Sequence, residues 1–111
     1  MDTLVYVTLL FDRYGELLTK KQQDVFEDYY HDNLSLREIA EKYDISPQGV
    51  RDNLKRSEKL LFGYEDKLSL LKEDNHRAYQ LEQLINEIGE LQIEENTKKK
   101  IVEKINLIIR E

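Results

Sequence analysis

The sequence has no cysteine, no tryptophan, one proline and four glycines in 111 residues. Without cysteine there is neither a disulfide nor a thiolate metal site. One proline and four glycines supply too few turns for a β-rich fold. Imidazole ligands could come only from His31 and His76, which stand 45 residues apart, so no metal cluster and no cofactor are expected. No stretch approaches the roughly 20 apolar residues of a membrane span. The apolar start from Leu4 to Phe11 follows Asp2, has no basic leader, and meets Asp12-Arg13 where a signal peptide would place small residues. The expected location is the cytoplasm. No Ser-His-Asp order, glycine-rich phosphate loop or paired-carboxylate cleft can be assembled. Catalysis is not expected.

What is present is helix-forming residues and charge. Hydrophobic residues make up 40% and charged residues 36% of the chain, an ordinary balance for a protein rich in exposed helix surface. The net charge is −6, which argues against a general nucleic-acid coat, because phosphate binding needs gathered Lys and Arg. Its distribution is uneven. Residues 16–33 hold five acids and two bases, whereas 46–63 hold four bases, Arg51, Lys55, Arg56 and Lys59, against two acids. Residues 76–96 hold five acids and one base, and 97–111 hold five bases and two acids. Basic charge is therefore confined to two short segments of an acidic chain.

The periodicity predicts an all-α fold. Leu4, Leu9, Leu10, Phe11 and Tyr14 predict a short helix, closed by Gly15 in left-handed geometry. Thr19 with Gln22, and Ser35 with Glu38, have capping-box spacing at the starts of the next two helices. Ser46 caps a fourth helix with Pro47 at its first position, where the missing amide proton costs nothing. Val50, Leu54, Ser57 and Leu61 form one inward stripe along it, and Gly63 offers a bend. Beyond it, Leu71, Ala78 and Ile85, then Leu81 with Ile88 and Leu84 with Leu91, repeat at seven. Gly89 and Asn96-Thr97 offer interruptions before a last helix striped by Ile101, Ile105 and Ile108.

Residues Leu34 to Leu54 carry the functional signal. A helix-turn-helix needs a small residue at the crossing, supplied by Ala40. Its turn needs a residue tolerant of left-handed geometry, for which Asp44 serves. Ile45 and Val50 are its buried aliphatics, and Ser35 and Ser46 cap its two helices. With Val50 inward, about 100° per residue turns Gln48, Asp52, Lys55 and Lys59 outward, flanked by Arg51 and Arg56. In a major groove Gln48 suits adenine, and Arg51 suits guanine or a phosphate. Lys55, Arg56 and Lys59 suit phosphates, which position without specifying sequence. Asp52 could accept from a cytosine amine but is repelled by phosphate. The candidate DNA-binding set is thus Gln48, Arg51, Asp52, Lys55, Arg56 and Lys59. The bland alternative is a trihelical core with a solvated charged face. Tyr29, Tyr30 and Tyr43 sit at core spacing and read as packing residues rather than base-stacking platforms.

Two resemblances rest on these residues. Thr19 to Leu61 resembles region four of bacterial sigma factors: Leu-Thr-x-x-Gln, then Ser-x-x-Glu-Ile-Ala, then Ile-Ser-x-x-x-Val. Leu10-Phe-Asp-x-Tyr14, Leu17-Leu-Thr-x-Lys-Gln22, Ser35-Leu-x-Glu-Ile-Ala40, Asp52-Asn-x-Lys-Arg-x-Glu58 and Tyr64-Glu-x-Lys-Leu68 more closely resemble the YlxM family of helix-turn-helix proteins. That resemblance covers about residues 4–72. It implies a link to the signal recognition particle pathway, since genes of the family lie beside those of its GTPases, and a regulatory role. The chain departs from sigma factors in having Asp52 at mid-face. It departs from YlxM relatives in having Pro47-Gln48-Gly49 where they often carry Arg-Gln-Ala.

The expected organisation is a helix-turn-helix domain over 1–63 and a C-terminal helical extension over 64–111. The apolar stripes of the extension are more than a lone hairpin hides, so they either pack on the core or form a homodimer through residues 76–109. Two functions stay open. One is a regulator that binds duplex DNA. The other is an adaptor, not binding DNA, that contacts protein or RNA of the signal recognition particle.

Overall fold

Each helix leaves its first amides without partners inside the helix, and short polar side chains are the cheapest way to satisfy them. In the computed structural model, which describes residues 3–110, six helices follow one another with no strand among the described residues. They are α1 (Thr3–Tyr14), α2 (Lys20–Tyr30), α3 (Leu36–Tyr43), α4 (Pro47–Leu68), α5 (Leu70–Glu90) and α6 (Glu95–Arg110). Thr19 accepts from the Gln22 amide at 3.2 Å while the Gln22 side chain accepts from the Thr19 amide at 3.0 Å. Ser35 and Glu38 repeat this reciprocal pair at α3, with both bonds at 3.1 Å. The fold is all-α, as the periodicity predicts.

The chain divides into two compact units, one ending at Leu71 and the other beginning at Lys72. The expected division after residue 63 falls inside α4, which stays helical through Gly63. Met1, Asp2 and Glu111 lie outside the described residues.

In the first unit, Val7, Leu10, Phe11 and Tyr14 of α1 pack with Leu18, Phe26, Leu61 and Leu71. Phe11 stacks on Phe26 with ring centroids 4.1 Å apart. Gly15 does not take the left-handed geometry expected of it. A Cβ there would stand 3.0 Å from Phe11 Cε2, so the glycine makes room for the ring. A second cluster joins Val25 of α2, Ile39 and Ala40 of α3, and Val50 and Leu54 of α4. The stripe of Val50, Leu54, Ser57 and Leu61 is buried throughout, and it runs through both clusters.

Three tyrosine–carboxylate pairs fasten these helices. Tyr43 and Lys42 of α3 donate to the buried Asp28 of α2 at 2.6 and 2.9 Å. Tyr30 of α2 donates to Glu58 of α4. Tyr14 of α1 donates to Glu65 of α4 at 2.6 Å. The last pair also writes a helix start. Ser69 takes left-handed geometry (φ 53°) and ends α4. The Leu70 amide then donates to the Tyr14 hydroxyl, and the Leu71 amide to Glu65 Oε1, each at 3.0 Å. The first amide of α5 is thus satisfied by a side chain from more than 50 residues away, and the second by Glu65 of α4.

The second unit buries Ile88 of α5 and Ile105 of α6, with Leu81, Ile85, Ile101 and Val102 half-buried. Lys98 Nζ donates to the Gly89 carbonyl at 2.9 Å. Gly89 and Asn96-Thr97, expected as interruptions, are both helical, and the break falls between Glu90 and Glu95. Among the described residues no helix is long and apolar enough to cross a membrane.

Two outcomes follow. Tyr14→Phe removes a bond to a carboxylate and the acceptor for the Leu70 amide, and should lower stability by about 2 kcal/mol in urea denaturation. A variant within about 0.5 kcal/mol of the parent, the scatter typical of inert surface changes, would contradict this. Burial, then the bond to Glu65, raises the Tyr14 hydroxyl above its ordinary value of 10.0. Burial raises Tyr30 and Tyr43 too, aided by Glu58 and Asp28 respectively. A raised folded pKa gives stability that is complete below the unfolded value and lost as pH climbs past it. The urea midpoint should therefore hold to about pH 9 and fall above about pH 10. These three tyrosines should ionise at higher pH than exposed ones, as followed by tyrosinate absorbance. All seven tyrosines of the chain ionising together in the folded protein would overturn that.

Candidate nucleic-acid interface

The turn between α3 and α4 meets each local requirement of a helix-turn-helix. Asp44 has φ 54° and ψ 50°, and the Ile45 amide donates back to the Ala40 carbonyl at 3.0 Å. Orphan carbonyls at the end of α3 are closed in this way. Ala40 is 4% exposed within the cluster that holds Val50, where a larger side chain would push the two helices apart. Ser46 Oγ accepts from the Gly49 amide at 3.0 Å, with Pro47 in the first turn. Gly49 is tightly placed, since a Cβ would lie 3.3 Å from Ser46 Oγ.

Because one face of α4 is wholly buried, the opposite face is in water. All six residues singled out by spacing, Gln48, Arg51, Asp52, Lys55, Arg56 and Lys59, are exposed on α4. Three of them meet. Gln48 Nε2 donates to Asp52 Oδ1 at 3.0 Å, and Arg51 donates to Gln48 Oε1 at 3.1 Å. Gln48 thereby separates the guanidinium from the carboxylate and is oriented by both. Asp52 Oδ1 is held by the uncharged Gln48 amide, and among the described residues Asp52 makes no ion pair with Lys55 or Lys59. Lys55 and Lys59 continue the face at steps of four residues. Arg56 turns to one side, where with Gln22, Lys59, Leu60, Gly63, Tyr64 and Lys67 it lines an open furrow of about 500 Å³.

Two acids of α4 are engaged away from these cations: Glu58 is held by Tyr30 and Glu65 by Tyr14. No ion pair involves Lys55, Arg56, Lys59 or Lys67 among the described residues. The basic charge of α4 is thus available to an outside anion. Among the described residues there is no group of three metal-ligating side chains. Sequence spacing missed three things here: the Gln48 bridge, the furrow with Lys67, and the tyrosine clasps. Tyr14 and Glu65 do stand in two of the motifs behind the YlxM resemblance, but 51 residues separate them.

A family model described as "UPF0122: Putative helix-turn-helix protein, YlxM / p13 like" matches residues 1–105. A UPF0122 protein of Caldanaerobacter subterraneus subsp. tengcongensis is 48% identical over 83 residues, 75% of this chain and 71% of that protein. One from Desulforamulus reducens is 43% identical over 88% of this chain and 92% of its own length. One from Thermoanaerobacter sp. is 54% identical over 64% and 61% respectively. None of these descriptions names an enzymatic activity.

Proposed function

Since the chain belongs to the UPF0122 family of YlxM/p13-like helix-turn-helix proteins, we propose that it is a regulatory protein that binds duplex DNA through the first half of α4. The carrying observation is the exposed face of Gln48, Arg51, Lys55 and Lys59, with its cations unpaired among the described residues, opposite a fully buried stripe. Gln48 and Arg51 stand at the helix start, where a recognition helix enters the major groove. They read bases, and the Arg51–Gln48 bond holds both ready. Lys55, Arg56 and Lys59 contact phosphates. Asp52 serves as the anchor that aims Gln48. It also limits non-specific affinity, since a carboxylate facing phosphate is repelled.

Exposed apolar residues in the second unit support a homodimer formed through residues 76–109. Leu84 and Leu91 are 43% and 50% exposed, and Leu107, Ile108 and Ile109 are exposed as well. Two copies would present two reading helices to half-sites about one helical turn apart. A cytoplasmic target within the signal recognition particle pathway is the part of this reading that rests on resemblance alone.

Electrophoretic shift against genomic fragments at low salt tests the DNA reading. The parent should bind, and the log-log slope against salt should flatten by about 0.9 for each phosphate contact removed. Arg51→Ala should cost about 1–3 kcal/mol and relax sequence preference. Lys55→Ala should weaken all fragments alike. Absence of binding, or binding unmoved by both changes, would sink the reading.

A further inference from the structure

Gly63 sits deep inside α4, where glycine is among the poorest helix formers. Nothing inside the chain calls for it. No glycine has a positive φ, and a Cβ at Gly63 would meet no atom within 4 Å. The space it leaves opens only outward, into the furrow lined by Arg56, Lys59, Leu60, Tyr64 and Lys67. At about 1.5 Å per residue, Lys67 lies about 29 Å along the helix from Gln48. A major groove is only about 12 Å wide, so a duplex seated on the start of α4 leaves the far end of the furrow open. That end has an apolar floor, with Leu60 40% exposed, and on its rim Lys67, which has no ion-pair partner among the described residues. Bare phosphates would not use such a floor. An acidic helix with an apolar stripe would.

The chain carries such a helix. Along α5, Glu73, Asp74, Glu82, Glu87 and Glu90 stand against Lys72 and Arg77. On α5 and just past its end, Leu84, Glu87 and Leu91 succeed one another at three and four residues, which places them on one face. All three are exposed, and Glu87 has no ion pair among the described residues. We propose that the furrow of α4 in one copy receives the Leu84–Glu87–Leu91 stripe of a second copy, and that the contact is made twice around a two-fold axis. Leu84 and Leu91 cover Leu60 and Tyr64, and Glu87 meets Lys67. Gly63 lets the two helices approach closely. Made once, such a head-to-tail contact would grow into a filament; made reciprocally, it closes. The inference rests on the homodimer of the preceding section and names the surface the stripe meets.

Light scattering of the full chain over a range of concentrations tests it. The parent should have twice the 13.3 kDa of one chain. Lys67→Glu and Glu87→Lys should each weaken dimerisation at least tenfold, with helical circular dichroism unchanged. Mixed one to one, the two variants should recover the double mass, because each reversed furrow then faces a reversed stripe and the other contact is native. Gly63→Leu should also give monomers while keeping or raising the melting temperature. A dimer indifferent to these changes, or one lost in the single variants and not restored by mixing, would overturn the furrow while leaving the homodimer standing. A parent that stays monomeric at all concentrations would overturn both.

Discussion

Burial of one stripe on one helix decides what the rest of the molecule can do. Val50, Leu54, Ser57 and Leu61 each lie at the bottom of the core, and α1, α2 and α3 all pack around the helix that carries them. Rotating α4 by even one residue would expose that stripe and bury charge, at a cost of several kcal/mol per ion even after relaxation. The rotation of α4 is therefore locked. The outward position of Gln48, Arg51, Lys55 and Lys59 is a consequence of the apolar positions, not an independent feature. Ser57 is the weak point of the stripe, since its fully buried Oγ finds no hydrogen-bond partner among the described residues.

An acidic chain presents basic charge on α4 because several of its acids are occupied elsewhere. Asp28, Glu58 and Glu65 each accept from a tyrosine hydroxyl on another helix. Glu58 and Glu65 are satisfied by hydroxyls, and the lysine on Asp28 is Lys42 of α3, so the clasps hold α1, α2 and α3 in place without using the cations of α4. Net charge is then a poor guide to what the surface offers; local pairing is the better one.

Local signals are legible in the sequence and distant ones are not. Thr19, Ser35 and Ser46 cap their helices, and Asp44 takes the left-handed turn, because each acts within four residues of itself. The outward set on α4 was legible because helical period alone assigns it once Val50 is placed inward. The break at Ser69 is not legible locally, since it is stabilised by Tyr14 and no glycine or proline marks it. Gly63 and Gly15 differ from expectation for a shared reason: sequence alone suggests a hinge or a left-handed residue, whereas Gly15 yields space to Phe11 and Gly63 leaves space open to solvent. The Gln48 bridge depends on rotamers, which spacing does not determine.

The central claim is that α4 grips duplex DNA by its first half. Its most direct test is a chemical-shift map of the labelled protein, titrated with the ligand recovered from a mixed random pool of duplex DNA and RNA. Enrichment of duplex DNA, with the largest shifts between Gln48 and Lys59 and their collapse at high salt, is the predicted result. Recovery of no duplex, or shifts centred on the acidic segment 16–33 with α4 silent, would contradict it.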